Sequence, residues 1–420
     1  MYEKTTFENG LRVLTMSVPH AYSVSVGAFI GAGSRYESDE IGGASHFIEH
    51  VLFKGTRRWP TARELSEAVE SVGGVINAST GPENTTLWCR VARHDFPLAL
   101  SVLSDMLRWP LMDADEIGRE RGVIVEEVRM TKDHPSYHVG TLIDSVLWPD
   151  QPLGRDVAGT IESVTSVTRE QLYEYYKRQY SPDNTVLCVA GNVSHQEVVD
   201  EVARSLDGWE RQEWLPWYPY RDVPDGQRLV VDVRQTDQVH MCIGLPGLAR
   251  EHPDRRALDL LNRALGEGMS SRLFTELREK RGLVYDVHSG LSHLRDCGSL
   301  VVYCGVEPSK ALQAAELVME ELERLKEGLL PGELEKVRAM ARGRLLLQME
   351  STSNLSVWGG SQELLTGRVK TVEDVVAEIE GVTAEDVKRV ASELVQRRSL
   401  RMAIVGPVRD QDRYAALLDG

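Results

Sequence analysis

The chain has 420 residues, of which 42% are hydrophobic and 27% charged, and its formal net charge is −16. These values are typical of a globular protein with two or three domains, and the acidic charge argues against a nucleic-acid binder because little would neutralise phosphates. The five cysteines are scattered without a Cys-x-x-Cys pair, which predicts reduced thiols and no cysteine metal site. There is no apolar core of a secretory signal and no run of about eighteen apolar residues, so we expect a soluble cytoplasmic protein.

The chain opens with two stretches that alternate in polarity. Residues 11–16 and 23–31 show the period of β-strands, and Pro19 and His20 lie between them. This arrangement predicts a β-hairpin. A glycine-rich loop at 31–35 and an acidic segment at 37–40 follow.

The next segment contains the pattern His46-Phe-Ile-Glu49-His50. In a helix, His46 and His50 project from one face because they are four residues apart, and Glu49 lies on the same side. Ser45 is the predicted N-cap, and Gly55 is the predicted end of the helix. Two imidazoles that hold a zinc ion, with a carboxylate that takes a proton from water, form the His-x-x-Glu-His site called inverzincin. The alternative is a pair of core histidines whose hydrogen bonds are satisfied.

Further elements follow the motif in regular order. Thr61 and Glu64 form a predicted capping box at the start of a second helix. The periodicity predicts helices at 61–72, 96–108, 114–130 and 168–180, and strands at 75–80, 85–91 and 185–191.

The helix at 114–130 offers candidates for a third metal ligand. Glu120 and Glu127 are seven residues apart and share a face, whereas Glu126 points away from that face. One carboxylate could complete a two-histidine site and leave a position for water, and the other could accept the outer ring N–H of a ligating histidine. The alternative is a solvated charged face.

The second half of the chain repeats the first. Residues 187–193 correspond to 402–408, residues 167–172 to 382–387, and Trp88-Cys89 to Tyr303-Cys304, all separated by the same 215 positions. This repeat predicts two similar domains, at 1–212 and 229–420, joined by a Trp-, Tyr- and Pro-rich linker at 213–228. Residues 257–262 replace the motif by small and apolar residues and lack metal ligands. Gly359-Gly360 predicts a loop.

The two motifs together resemble the pitrilysin family, which includes insulin-degrading enzyme and mitochondrial processing peptidase. The resemblance rests on His46-Phe-Ile-Glu49-His50 with Phe53-Lys-Gly-Thr56, and on Glu120-Arg-Gly-Val-Ile-Val-Glu-Glu127, and it extends along the whole chain. It implies one zinc ion per chain, a general base and a supporting carboxylate. The implied zinc ligands are His46, His50 and Glu127, the implied base is Glu49, and the implied supporting carboxylate is Glu120. In the second half, the position of Glu127 falls at Arg342 or Arg344, which cannot bind zinc.

Two other stretches match the family pattern. The segment from Ser271 to Tyr285 resembles the part in which an Arg and a Tyr hold substrate and stabilise the oxyanion; Arg278 and Tyr285 match best, with Arg281 as the alternative arginine. The strand at 75–80 resembles the edge strand to which an extended substrate adds, which makes Asn77, Ala78 and Ser79 the expected substrate contacts.

These observations predict an α+β fold of two homologous domains. Each is expected to be a mainly antiparallel β-sheet with helices packed on it, and the resemblance implies that the two face each other across a chamber. The expected function is that of a zinc endopeptidase acting on unstructured oligopeptides or presequence-like segments. The alternatives are a non-catalytic or heterodimer-dependent subunit that holds peptides, and a metallohydrolase with another substrate. We expect a homodimer, with a heterodimer left open, and no nucleic-acid or membrane partner.

Overall fold

The computed structural model of the chain describes residues 2–223 and 226–419. The strands are β1 Glu3–Thr6, β2 Arg12–Ser17, β3 Ser23–Ile30, β4 Val75–Thr80, β5 Thr85–Ala92, β6 Thr185–Gly191, β7 Leu229–Val233, β8 Val239–Pro246, β9 Val284–His293, β10 Gly298–Val306 and β11 Arg401–Gly406. The helices are α1 Ala44–Leu52, α2 Ala62–Glu70, α3 Phe96–Arg108, α4 Ala114–Asp133, α5 Pro135–Leu147, α6 Ile161–Ser166, α7 Arg169–Gln179, α8 His195–Ser205, α9 Arg255–Gly266, α10 Ala311–Leu325, α11 Glu333–Gln348, α12 Thr352–Thr366, α13 Val372–Gly381, α14 Ala384–Leu394 and α15 Gln411–Asp419. The predicted α+β class is confirmed.

Residue contacts divide the chain into two units. The first unit comprises Met1–Val128, Asp156–Tyr218 and Leu346–Thr371, and the second comprises Arg129–Arg155, Pro219–Leu345 and Val372–Gly420. This division differs from the continuous domains 1–212 and 229–420, because a sequence repeat follows chain order whereas the units follow contacts. Residues 224 and 225 of the predicted linker lie outside the described residues.

The sheet of the first unit has the order β1-β2-β6-β3-β5-β4. Strand β6 is buried along its whole length and pairs in parallel with β2 and antiparallel with β3. The predicted hairpin of the first two stretches is therefore wrong, although both strands exist. Alternating polarity identifies a strand but does not identify its neighbour, and here the neighbour comes from far along the chain. The other neighbouring pairs are antiparallel.

One face of this sheet is covered by α12, a helix from late in the chain. Helix α12 packs on β3 and β6, and its close approach requires glycine. A Cβ atom at Gly360 would lie 2.1 Å from the ring of Phe29, and one at Gly359 would lie 2.9 Å from the sulfur of Cys188. The predicted loop at Gly359-Gly360 is therefore wrong: both residues lie inside α12, where their lack of a side chain lets the helix backbone approach the sheet.

The described sheet of the second unit has the order β7-β11-β8-β10-β9 and repeats the arrangement of five strands of the first, β2-β6-β3-β5-β4. Its parallel pair, β7 and β11, corresponds to β2 and β6. Helices α7 and α14 both begin after a capping threonine, Thr168 and Thr383, 215 positions apart. Strands β6 and β11 both end at a glycine of positive φ, 145° at Gly191 and 149° at Gly406. The predicted repeat thus has a structural counterpart.

The structure also describes the surroundings of the cysteines and the apolar character of the helices. The five cysteines are free and buried, and burial raises the pKa of the Cys89 thiol to about 12. In the part of the chain that the structure describes, no helix has the length and apolar character needed to cross a membrane.

Candidate metal centre

The start of helix α1, which carries the His-x-x-Glu-His pattern, is held by a carboxylate from the segment that precedes it. Its N-cap is Gly43, at φ 91°, so the predicted Ser45 cap is wrong. The backbone N–H groups of Gly43 and Ser45 each donate to the buried Glu37 carboxylate at 2.7 Å. A buried carboxylate satisfies orphan N–H groups and complements the positive end of the helix dipole. The Ser45 hydroxyl instead contacts the Tyr175 hydroxyl at 2.8 Å. The helix ends at Leu52, before the predicted Gly55.

The three predicted ligands lie together in the first unit. Glu127 Oε2 is 3.8 Å from His46 Nε2 and 3.4 Å from His50 Nε2. One ligand atom from each of the three residues lies within 4.8 Å of the others, and within the described ranges this is the one such group of His, Cys, Asp or Glu side chains. Glu126, the competing candidate, lies exposed on α4. The helical face of α4 therefore separates the two adjacent glutamates as the seven-residue spacing predicts.

Glu120 lies behind His50 on the same helical face as Glu127. Its Oε2 is 3.1 Å from His50 Nδ1, and its Oε1 pairs with Lys54 Nζ at 2.7 Å. Glu120 is only 5% exposed. A carboxylate in this place accepts a hydrogen bond from the Nδ1–H group, which leaves the Nε2 lone pair on the side of Glu127 and of the predicted metal position. The sequence analysis assigns no role to Lys54, although Lys54 lies in the stretch Phe53-Lys-Gly-Thr56.

Burial is the main cause of the pKa shifts of His46 and Glu49. Burial, and then the charge of His50, lowers the pKa of His46 to about 4. His46 is thus neutral near pH 7, as a metal ligand must be. Burial also raises the pKa of Glu49, against the opposing effects of the Thr80 hydrogen bond and the His50 charge. A raised carboxylate pKa suits a group that takes and returns a proton.

The residues present fit a catalytic zinc ion. Two imidazole nitrogens and one carboxylate oxygen converge, which is the ligand set of catalytic zinc sites with three protein ligands. The outer nitrogen of one imidazole is held by a carboxylate, as is usual for a ligating histidine. The side chains of His46 and His50 retain 20% and 17% exposure, so the group is open to solvent on one side.

Strand β4 lies at the edge of the first sheet, as the family resemblance implies. Asn77 and Ser79 are exposed and Ala78 is half-buried. The Ala78 N–H donates to Asn77 Oδ1 at 2.8 Å, so a side-chain oxygen occupies a backbone donor of this strand. The end of β4 reaches the motif helix, because Thr80 Oγ1 donates to Glu49 Oε2 at 2.5 Å.

The predicted Arg/Tyr pair lies in the second unit. Arg278 belongs to a π-helical turn at Phe274–Glu279, and its guanidinium lies 5.3 Å from the ring centre of Tyr285. Tyr285, near the start of β9, is 74% exposed. The alternative arginine, Arg281, forms an ion pair with Glu276 at 2.6 Å. Arg278 and Tyr285 are therefore adjacent and exposed, while Arg281 has a local partner.

A buried ion pair near β4 was missed in the sequence. Arg35, which is fully buried, donates to Glu83 at 2.7 Å and to the Tyr218 carbonyl at 2.9 Å. Its guanidinium also lies 4.4 Å from the ring centre of Trp217. Glu83 lies in the turn between β4 and β5, so this pair anchors the turn that follows the proposed substrate strand. Arg35 and Glu83 lie far apart in the chain, and no local sequence pattern predicts that they pair.

Comparison with known proteins agrees with this geometry. The family model described as "Insulinase (Peptidase family M16)" matches residues 12–161, and that described as "Peptidase M16 inactive domain" matches residues 166–341. An uncharacterized zinc protease of Streptomyces coelicolor is 38% identical over 97% of this chain and 90% of that protein. The uncharacterized zinc protease YmxG of Bacillus subtilis is 34% identical over 97% of this chain and 98% of that protein.

Solved structures show the same fold. A protease from Helicobacter pylori superposes with a TM-score of 0.92 at 24% identity, covering 97% of this chain and 99% of that one. A structure from Pseudomonas fluorescens described as a peptidase M16 inactive domain gives a TM-score of 0.90 at 19% identity, covering 97% and 98%. With relatives above 30% identity that match over nearly their whole length, the chain belongs to peptidase family M16, as a half-size member.

Proposed function

We propose that this protein is a zinc-dependent endopeptidase that hydrolyses unstructured oligopeptides or presequence-like segments, with one zinc ion per chain. The observation that carries the proposal is the convergence of His46, His50 and Glu127 within 4.8 Å. Glu49 lies beside them, close enough for His50 and Glu127 to influence its pKa. The zinc-protease relatives support the metal and the peptidase class.

The residues of the site then have distinct tasks. When bound, zinc supplies Lewis-acid activation of a water molecule and of the scissile carbonyl group. Glu49 accepts the proton of the attacking water and returns it to the leaving amine, for which its raised pKa is suited. Glu120 holds His50 through the Nδ1–H group. His46 remains neutral because burial disfavours its protonation.

An extended peptide segment binds, in this proposal, along the free edge of β4. An unpaired edge offers main-chain N–H and C=O groups to an added strand. Alternate residues of an antiparallel strand direct these groups to the same side. The Ala78 N–H donates to the Asn77 side chain, and a substrate carbonyl would replace that oxygen. Such binding requires an unfolded segment, which favours oligopeptides and flexible termini over folded proteins.

The second unit supplies no metal ligands in this proposal. Residues 257–262, which replace the motif, are largely buried within α9, and the family model that covers much of this half is described as an inactive domain. Arg278 and Tyr285 are proposed to hold the peptide and to stabilise the oxyanion. Their exposure and mutual contact support the choice of this pair. The homodimer, with a heterodimer as its alternative, and the cytoplasmic location stay predictions from the sequence.

The test is hydrolysis of a quenched fluorescent, basic, unstructured peptide by the purified chain, with zinc content measured on the same sample. We expect cleavage that stops with a chelator and with Glu49→Gln, which keeps its zinc. A folded protein carrying the same peptide sequence in its core should be left intact. Bound zinc without cleavage of any peptide would favour the heterodimer-dependent or non-catalytic subunit. A chain that binds no zinc would refute the metal site itself.

A further inference from the structure

We propose that Thr80 is a positioning residue for the reaction, because its hydroxyl holds the Glu49 carboxylate and so connects the peptide-binding strand with the group that moves the proton. This inference rests on the proposed function. It concerns a side chain outside the His-x-x-Glu-His and Glu120–Glu127 motifs and outside the Arg278 and Tyr285 pair.

The first step is the direction of the Thr80 hydroxyl proton. Thr80 Oγ1 lies 2.5 Å from Glu49 Oε2 and 3.3 Å from Thr85 Oγ1. Thr85 donates its own proton to the Ala32 carbonyl at 3.1 Å. Because the Thr85 proton is engaged by a carbonyl, Thr85 can only accept from Thr80, and this neutral acceptor at 3.3 Å is weaker than the Glu49 carboxylate at 2.5 Å. A hydrogen bond to an ionised acceptor is the stronger kind.

The second step is what this bond does to Glu49. A glutamate has three side-chain torsions, and only some of their combinations place a carboxylate oxygen towards the metal position. The Thr80 bond engages Oε2 and leaves Oε1 for proton transfer. Both side chains are half-buried, so water competes less for this contact than at an open surface. The bond therefore selects a carboxylate orientation instead of adding a new reactive group.

The third step is the position of Thr80 in the sheet. Thr80 is the last residue of β4, paired in register with Thr85 of β5, and β4 is the edge strand. A peptide that adds to β4 stiffens this strand at the end from which Thr80 reaches Glu49. Docking of the peptide and orientation of the base thus depend on one strand. Because the Thr80 side chain contacts the base Glu49, we expect its replacement to lower the turnover rate more than the affinity for the peptide.

The experiment compares Thr80→Val with Thr80→Ser in the full-length zinc-loaded protein. Valine keeps the size and branching of threonine but removes the donor, whereas serine keeps the donor. We expect Thr80→Val to lower kcat by about 10- to 100-fold, the usual size for one hydrogen bond to a charged group, with KM within about twofold. Thr80→Ser should retain most of the wild-type kcat. Both variants should keep zinc content and thermal midpoint close to those of the wild type.

A binding measurement separates base positioning from peptide docking. In the Glu49→Gln background, adding Thr80→Val should leave the Kd of an intact peptide unchanged within about twofold. If the wild type cleaves peptides and Thr80→Val is equally fast, or Thr80→Ser is as slow as Thr80→Val, the inference fails while the proposed function stands. A raised KM or weakened peptide Kd with unchanged kcat would also overturn it. If the zinc-loaded wild type cleaves nothing, the proposed function fails and this inference with it.

Discussion

Nδ1 of His50 lies 3.1 Å from Oε2 of Glu120, and the other oxygen of that carboxylate pairs with Lys54 at 2.7 Å. A line of contacts therefore runs from Lys54 through Glu120 to His50, one of the proposed metal ligands. In the structure described here, His46 has no equivalent support, because its Nδ1 is buried without a hydrogen-bond partner. The two histidines are thus held differently, although four residues separate them on one helix. His50 is the proposed ligand whose orientation and tautomer are set by a neighbouring carboxylate.

Replacing Glu120 by glutamine should weaken zinc binding by about 10- to 100-fold, the usual effect of removing such a supporting carboxylate. An amide still accepts a hydrogen bond but carries no charge to complement Lys54 or a metal-bound imidazole. Zinc affinity would be measured by competition with a chelating dye. Glu116→Gln is the control, since Glu116 lies on the same helix in a local pair with Arg119 and should leave zinc affinity unchanged. Equal affinities for wild type and Glu120→Gln would contradict this role.

The adjacent glutamates of α4 provide a sharper comparison. Glu127→Gln should lose stoichiometric zinc and all hydrolysis, because an amide is a poor ligand and leaves two protein ligands. Glu126→Gln makes the same chemical change one residue earlier, on a different side of the helix. We expect it to keep zinc content and activity. Metal analysis of the two purified variants checks this, and loss of zinc from both would mean that helix stability, not ligation, is being measured.

The sequence predictions agree better with the structure where a feature depends on spacing within one helix than where it depends on contacts between distant segments. His46 and His50, like Glu120 and Glu127, were matched through spacings within one helix, so helical geometry alone puts them on one face. The strand pairing of β6 and the close approach of Gly360 to Phe29 depend on segments far apart in the chain. No local periodicity contains that information.

The same reasoning explains the failure at Ser45. Serine is a good helix cap by propensity, but a buried carboxylate at Glu37 satisfies the same N–H groups from outside the helix. The acidic segment before the motif was visible in the sequence, and an acidic residue near a helix start is favourable. Which of its residues would cap the helix could be seen only with the loop folded. Polar contacts made by a folded loop, like the long-range contact of Arg35 with Glu83, require the structure.

Tyr285→Phe tests the role assigned to the second unit by the resemblance. Removing one donor to a developing oxyanion commonly costs about 100- to 1,000-fold in kcat, so we expect a loss in this range with zinc content unchanged. Arg278→Gln should mainly raise KM, since a guanidinium holds the peptide. The control is Arg281→Gln, because Arg281 has a local ion pair with Glu276. If Arg281→Gln impairs hydrolysis and Arg278→Gln does not, the two arginines have been assigned in the wrong order.

The lowered pKa of His46 predicts how the metal-free protein responds to acid. In the unfolded chain His46 becomes protonated below its ordinary pKa of 6.5. In the folded chain burial lowers this pKa to about 4. The unfolded state therefore binds more protons between these values, so the free energy of unfolding falls as the pH falls from 6.5 to 4. The shift corresponds to about 3 kcal/mol for this side chain, whose exposure is only 20%.

His46→Gln supplies the comparison, because glutamine has no proton to gain. Urea unfolding of chelator-treated protein at several pH values should show a steeper loss of stability for the wild type than for His46→Gln within this window. Above pH 7 the difference in free energy between the two proteins should be constant, since His46 is neutral in both the folded and the unfolded states there. Parallel curves down to pH 4 would mean that His46 takes its proton in the folded protein as readily as in water. Protons would then compete with the metal for His46 near pH 6, and zinc binding would weaken there.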